Sequence, residues 1–137
     1  MNATQDVTRF LAMMPFSVAS GVELETAGAS EVTGRLAWAP ERCTAGGVLH
    51  GGALMTLADS VGGICAFLNL PEGAGTSTIE SKTNFFRAVR GGYVHAFARP
   101  LHPGRTVIVV QTDLRDDESR HVAQVTQTQA VLSPPDG

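Results

Sequence analysis

The chain has 137 residues, of which 43% are hydrophobic and 17% are charged. This length and composition exclude a disordered chain and favour one globular domain over residues 1–137. The formal net charge is −3 with the four histidines counted as neutral, which excludes a protein that binds nucleic acid by general charge attraction but leaves a local cationic patch open.

The amino-acid pattern predicts two helices and six strands. Pro15 and Pro71 mark the ends of the helices, and alternation of apolar and polar residues between glycine-containing turns indicates the strands. Residues 133–137 are rich in proline and should form a frayed tail. In chain order the predicted elements are a helix at 4–14, strands at 16–27 and 31–39, a helix at 50–70, and strands at 76–87, 93–101, 105–115 and 121–132.

The order of these elements predicts the fold class. The helix over 50–70 is apolar on most of its circumference, so it should be buried on all sides. The last four strands are joined by short turns, which predicts that they are antiparallel neighbours. A curved antiparallel sheet wrapped around the long helix satisfies both conditions. The predicted fold is therefore α+β, of the kind called the hotdog fold.

Cysteine usage and the longest apolar segment indicate the compartment. Cys43 and Cys65 fit neither a disulfide framework nor a CxxC metal motif, and Cys65 has the apolar neighbours typical of an inert core thiol. The start of the chain lacks the pattern of a secretory signal. Asp59 lies within the apolar segment 50–70, and a charge there opposes insertion into a bilayer. We therefore expect a cytoplasmic protein that does not enter membranes.

The segment "GGVLHGG" brings a glycine-flanked backbone to the start of the long helix. A helix N-terminus presents unpaired N–H groups and the positive end of the helix dipole. Because Gly51 has no Cβ, an oxygen atom can approach its N–H closely. This arrangement is suited to an oxyanion or a polarised carbonyl.

Asp59 is the one acidic residue in this helix, eight residues beyond Gly51. Eight residues span roughly 12 Å along a helix, so the two groups cannot reach one bond within one chain. A second copy related by a twofold axis could bring Asp59 near Gly51 of its partner, which predicts two sites at a dimer interface. A carboxylate among apolar side chains is costly to bury unless it is hydrogen-bonded, so we expect Asp59 to be partly buried and to have a hydrogen-bond partner. Two alternatives remain: Asp59 could have a purely structural role, or its side chain could face solvent.

The helix segment "LHGGALMTLADSVGGICA" resembles that of the hotdog-fold acyl-CoA thioesterases of the PaaI-type and 4-hydroxybenzoyl-CoA thioesterase group. The segments "TNFFRAVRGG" and "HPGRTVIVVQTDLRDD" resemble downstream strands of the same group, so the similarity spans about 21–132. The resemblance implies hydrolysis of an acyl-CoA thioester to a free acid and coenzyme A, without a metal or a further cofactor. It also implies a homodimer, or a dimer of dimers.

The resemblance assigns roles to five residues. Asp59 would be the nucleophile or the general base, which the sequence does not separate. The N–H of Gly51 would polarise the thioester carbonyl, and His50 would shape the helix start and could contact the substrate. A hydroxyl on the next strand, Thr78 in preference to Ser77, would orient the acid or its water.

One position departs from the family pattern. Relatives usually carry Asn or Gln six residues before the histidine, where this chain has Thr44, which lacks the side-chain amide and reaches less far. For the acyl pocket we consider Leu54, Met55, Ala58, and Phe85 or Phe86. The same apolar residues could equally be part of the hydrophobic core. Further expected substrate contacts are Gly52, Ser77 and Asn84. For the phosphates of coenzyme A the candidates are Lys82, Arg87, Arg90 and Arg105, any of which could instead be an ordinary surface charge.

Two other functions fit the same fold. A hydratase or dehydratase acting on acyl thioesters would pair a histidine with an acid in a different sequence setting. A non-catalytic module could bind acyl-CoA without turnover. Thioester hydrolysis is the interpretation that we favour.

Overall fold

The computed structural model describes residues 3–134 and contains a six-stranded antiparallel sheet around one long helix. The long helix contacts all six strands, as the predicted α+β hotdog fold requires. The elements are α1 (Ala3–Ala12), α2 (Pro15–Ala19), β1 (Val22–Ala27), β2 (Val32–Ala37), a 3-10 turn (Pro40–Arg42), α3 (Gly51–Phe67), β3 (Gly75–Phe85), β4 (Tyr93–Pro103), β5 (Val107–Asp116) and β6 (His121–Leu132).

The order of strands in the sheet is β1-β2-β4-β5-β6-β3. The prediction that the last four strands are consecutive neighbours is correct for β4, β5 and β6 and wrong for β3, which pairs with β6 at the edge of the sheet. Residues 86–92 do not close a hairpin, because they run past the start of α3, where the carbonyl of Val89 accepts a hydrogen bond from the N–H of Leu49. The outer edge of β3 has no partner strand among residues 3–134.

The N-terminal region differs from the prediction of a strand over 16–27. Residues 15–19 form α2, and β1 starts only at Val22. Pro15 occupies the first turn of α2, where its fixed φ suits a helix and its missing N–H costs nothing. Gly21 then reverses the chain with a φ of 93° and leads it into β1.

The core lies between α3 and the concave face of the sheet. Leu57, Ala58, Val61 and Cys65 are fully buried on the helix. They pack against inward-facing residues of the central strands, among them Val32, Leu36, Val94, Ala96, Ile108, Val110, Leu114, Val122 and Val125.

The apolar pattern predicted that the long helix is buried on all sides, and this is wrong. The helix runs over Gly51–Phe67 rather than 50–70, and one stripe along it remains exposed. The stripe consists of Met55, Asp59 and Phe67, at spacings of four and eight residues. Met55 and Phe67 keep 41% and 42% of their surface accessible. The sheet of a single chain stops at β3, so it does not reach far enough to cover this stripe.

Two expectations concern the chain as a whole. Within residues 3–134, none of the helices combines the length and the apolar character needed to cross a bilayer. Of the tail predicted over 133–137, residues 135–137 lie outside the described residues, and residues 133–134 follow the end of β6 without regular structure.

The packing of α3 makes a prediction about thiol chemistry. Burial raises the pKa of the Cys65 thiol to about 11, so at about pH 8 the group is both inaccessible and protonated. Cys43 is only half-buried and serves as an internal control. Alkylation of the native protein, followed by mass spectrometry, should label Cys43 and leave Cys65 unmodified until the chain unfolds. Equal labelling rates for the two thiols would contradict the packing described for α3.

Candidate active site

His50 fixes the start of α3. Its backbone is extended, with φ −62° and ψ 136°, and its Nδ1 accepts a hydrogen bond of 2.7 Å from the N–H of Gly52. The N–H of His50 donates to the carbonyl of Arg42 at 2.9 Å, which ties the helix start to the 3-10 turn. His50 is thus the N-cap of α3, and the N–H of Gly52 is occupied by this cap.

Gly51 leaves the first N–H of α3 open. Within residues 3–134 no acceptor is found for this N–H, which lies at the positive end of the helix dipole. A Cβ on Gly51 would lie 3.3 Å from Cζ of Phe85, so the phenyl ring leaves little room for any side chain here. A cavity of about 350 Å³ opens beside the glycine, and Leu54, Phe85, Phe86 and Arg87 contribute to its walls.

Asp59 lies two turns further along α3, on the exposed stripe of the helix. Its Oδ1 accepts a hydrogen bond of 3.2 Å from Nε2 of Gln127 on β6. No second hydrogen bond to this carboxylate is found in the described part of the chain. The expectation of a partner is met, but the expected partial burial is wrong for the single chain, because the sheet leaves this face of the helix open.

A cavity of about 280 Å³ borders Asp59. One side is polar and consists of residues 76–78 of β3 with Gln129 of β6. Nε2 of Gln129 donates to Oγ1 of Thr78 at 2.7 Å, and Oγ1 of Thr76 donates to Oε1 of Gln129 at 3.0 Å. The other side is apolar and consists of Phe10, Met13, Met14, Ile64 and Phe67.

The side chain that hydrogen-bonds to Asp59 was missed by the sequence interpretation. Thr78 and Ser77 line the cavity beside Asp59, but the hydroxyl of Thr78 bonds to Gln129 and not to the acid. The signal for Gln127 was present in β6, where alternation places Gln127 and Gln129 on the same inward face as Val125.

The helix start and the acid form two separate half-sites in one chain. The cavity beside Gly51 does not include Asp59, and the cavity beside Asp59 does not include Gly51. This agrees with the roughly 12 Å rise expected for eight helical residues. One chain by itself therefore does not bring the N–H of Gly51 and the carboxylate of Asp59 to one bond.

The residues considered for the acyl pocket are divided between the cavity beside Gly51, the surroundings of Asp59 and the core. Leu54, Phe85 and Phe86 belong to the helix-start cavity. Met55 lies with Asp59 on a second cavity of about 250 Å³, together with Phe16 and Ser81. Ala58 is fully buried in the core and lines neither half-site, so the expectation that it forms part of the pocket is wrong for this structure.

The basic residues considered for the phosphates differ in their hydrogen bonds and in whether they line a cavity. Arg87 is exposed and lines the helix-start cavity. Nη1 of Arg90 donates to the carbonyl of Gly46 at 3.1 Å, so this guanidinium holds the loop before α3. Lys82 and Arg105 are exposed and line neither half-site cavity.

Two further predicted contacts lie on the surface. Thr44 is exposed in the loop before α3, where its backbone N–H donates to the carbonyl of Val48 at 2.9 Å. Asn84 is exposed on β3, opposite Gln124 of β6. Neither side chain lines the cavity beside Asp59 or the one beside Gly51.

Comparison with proteins of known sequence points to one family. The model of the thioesterase superfamily matches residues 46–123, more than half of the chain. A 1,4-dihydroxy-2-naphthoyl-CoA hydrolase of Escherichia coli K12 is 33% identical over 86 residues, which cover 63% of each chain. A Haemophilus influenzae protein named as an esterase is 39% identical over 74 residues, so the match spans 54% of this chain and 54% of that relative.

Solved structures agree with this result over a longer part of the chain. A thioesterase from Haemophilus influenzae has a TM-score of 0.89 and 26% sequence identity, covering 99% of this chain and 94% of the other. The residues that match the family model include the helix start at Gly51, the acid at Asp59 and the whole of β3. The chain belongs to the thioesterase superfamily and has the hotdog fold.

Proposed function

We propose that this protein hydrolyses an acyl-CoA thioester to a free acid and coenzyme A at a site completed by a second copy of the chain. The observation that carries the proposal is the division of one helix into an open N–H at Gly51 and a singly hydrogen-bonded carboxylate at Asp59. The likeness to the E. coli hydrolase supports a coenzyme A thioester as the substrate class.

The exposed face beside Asp59 supports assembly with a second copy. β3 is an edge strand whose residues are mostly exposed, including Ile79 at 62%. Phe16, Met55 and Phe67 are exposed on the neighbouring helices, at 71%, 41% and 42%. An unpaired strand edge beside exposed apolar side chains favours burial in an interface. Twofold symmetry about this face would place each Asp59 near the partner's helix start.

In the proposed reaction the thioester carbonyl accepts a hydrogen bond from the N–H of Gly51. The helix dipole adds to the stabilisation of the negative charge that develops on this oxygen. Asp59 then either attacks the carbonyl carbon, so that the C–S bond breaks and water hydrolyses the resulting anhydride, or removes a proton from an attacking water. Both routes release coenzyme A as the thiol and the acyl group as the acid.

The cavity beside Asp59 is the proposed site of the acyl group. Its aromatic and methionine side chains offer an apolar surface, and its threonine side lies next to the reacting acid. Phe10 and Phe67 meet edge to face, with ring centroids 5.8 Å apart, and form the aromatic part of the wall. This favours acyl groups with an apolar ring or chain. At the other half-site, Arg87 is the cation best placed for a phosphate of coenzyme A.

The first test is thiol release from a panel of acyl-CoA esters. Asp59→Asn keeps the size of the side chain but removes the negative charge, so we expect kcat to fall by about 100-fold or more with the best substrate. Undiminished thiol release by Asp59→Asn would overturn the mechanism. Conversion of an enoyl-CoA into a 3-hydroxyacyl-CoA without thiol release would identify a hydratase, and tight binding without turnover would identify a binding module.

The role of the backbone at Gly51 can be tested with a matched pair of variants. Gly51→Pro deletes the N–H at a helix position that tolerates proline, and His50 already has the extended backbone that proline requires before it. We expect kcat to fall by about 100-fold or more, as for loss of an oxyanion donor. Gly51→Ala adds a Cβ against Phe85 but keeps the N–H, so it should lose much less. Equal losses in the two variants would indicate a steric effect only.

The acyl cavity makes a separate prediction about specificity. Phe67→Ala removes one apolar wall of the cavity beside Asp59, so kcat/KM for the preferred acyl-CoA should fall by about 10-fold or more, with larger acyl groups affected less. Phe97→Ala is the control, since Phe97 is similarly exposed at 38% but does not line this cavity. An unchanged ranking of substrates in Phe67→Ala would place the acyl group elsewhere.

A further inference from the structure

Two polar side chains lie deep in the apolar core behind Asp59. Gln127 on β6 is 1% exposed and Thr112 on β5 is fully buried. Within residues 3–134, neither Oε1 of Gln127 nor Oγ1 of Thr112 has a hydrogen-bond partner. Leaving buried polar atoms unpaired lowers stability, and the adjacent inward positions are filled by Val110 and Val125. An apolar residue at position 127 would suit the core better than glutamine does.

The helix makes room for this glutamine. A Cβ on Gly62 would overlap the side-chain amide of Gln127 and would lie 3.2 Å from Oγ1 of Thr112. A glycine inside a helix lowers helix stability, so both α3 and β6 carry residues that are unfavourable for folding at the same point. Such a combination is expected where a side chain serves the chemistry of a site.

The amide of Gln127 is directed at the acid. Its Nε2 donates to Oδ1 of Asp59 at 3.2 Å, from a strand that lies 68 residues away in the chain. No hydrogen bond to the other carboxylate oxygen, Oδ2, is found among residues 7–134, whose side chains the structure describes. A donor on one oxygen holds the carboxylate in one orientation.

We propose that Gln127 is a positioning residue that holds Asp59 through Oδ1, so that Oδ2 is the oxygen that attacks the thioester or activates the water. This inference rests on the proposed function, because it names the reactive atom of the same site. Orienting the acid accounts for a glutamine at a core position where its Oε1 stays unpaired.

Among the described residues, no other charged group adjoins Asp59 in the cavities. The side chains that line the two cavities beside it include no other charged or titratable group. The nearest charges along β3 are Glu80 and Lys82, on either side of Ser81, and they line neither cavity; Arg9 of α1 is also outside both. In the described part of the chain, the hydrogen bond from Gln127 is therefore the interaction that orients this carboxylate.

The test is Gln127→Leu, which keeps a similar volume and removes the amide. We expect kcat to fall by about 10-fold or more with little change in KM, because positioning of the reacting atom is lost while the binding surfaces remain. The unfolding temperature should stay level or rise, because an unpaired buried oxygen is removed.

Thr112→Val is the matched control. It removes the other unpaired polar atom of the same region, but Thr112 is not hydrogen-bonded to Asp59. It should likewise hold or raise the unfolding temperature, and it should leave kcat unchanged. If Gln127→Leu behaves like Thr112→Val, the proposal is wrong while a catalytic role for Asp59 stands.

A measurement that does not require turnover separates this proposal from the proposed function. The side-chain amide proton signals of Gln127 in a ¹⁵N-labelled sample should differ between the wild-type protein and Asp59→Ala, because the variant lacks the acceptor of the hydrogen bond. The same signals should keep their wild-type positions in Gly51→Pro. Identical amide signals in the wild-type protein and in Asp59→Ala would overturn the assignment of Gln127 whether or not any acyl-CoA is hydrolysed.

Discussion

The close packing of α3 against the sheet is the constraint on which the rest of the structure depends. Leu57, Val61 and Cys65 are fully buried against the strands, and burial of such apolar surface contributes roughly 25 cal/mol per Å². The two groups of chemical interest are attached to this helix, Gly51 at its start and Asp59 near its middle. Their separation is therefore set by helix geometry and cannot relax to suit a substrate.

The acid lies on an open face of the molecule. The stripe of α3 that carries Asp59 lies beside the edge strand β3, and both are left uncovered by the sheet of one chain. In the proposed dimer, the surface that a single chain leaves exposed is the surface that completes the site. The interactions that orient the acid come from the opposite direction, through the core, where Gln127 reaches Asp59 from β6.

Local signals in the sequence were sufficient to predict the long helix, its glycine-rich start and the last three strands. They were not sufficient for features that depend on distant parts of the chain. The position of β3 depends on the path of residues 86–92, which no periodicity reveals, and the exposure of Asp59 depends on where the sheet ends. The first helix ends before Pro15, as predicted, but Pro15 also begins a second helix that the pattern did not predict. Gln127 was missed because its partner is distant in sequence, even though strand alternation places it inward.

The central claim, that each site combines Asp59 of one copy with Gly51 of another, can be tested by mixing subunits. Asp59→Asn and Gly51→Pro chains, each nearly inactive alone, are unfolded and refolded together in equal amounts. If the site is shared, about half of the dimers are mixed and each has one intact site of two, so about one quarter of the wild-type activity should return. If the site lies within one chain, the mixture will be no more active than the separate variants, and the account is contradicted.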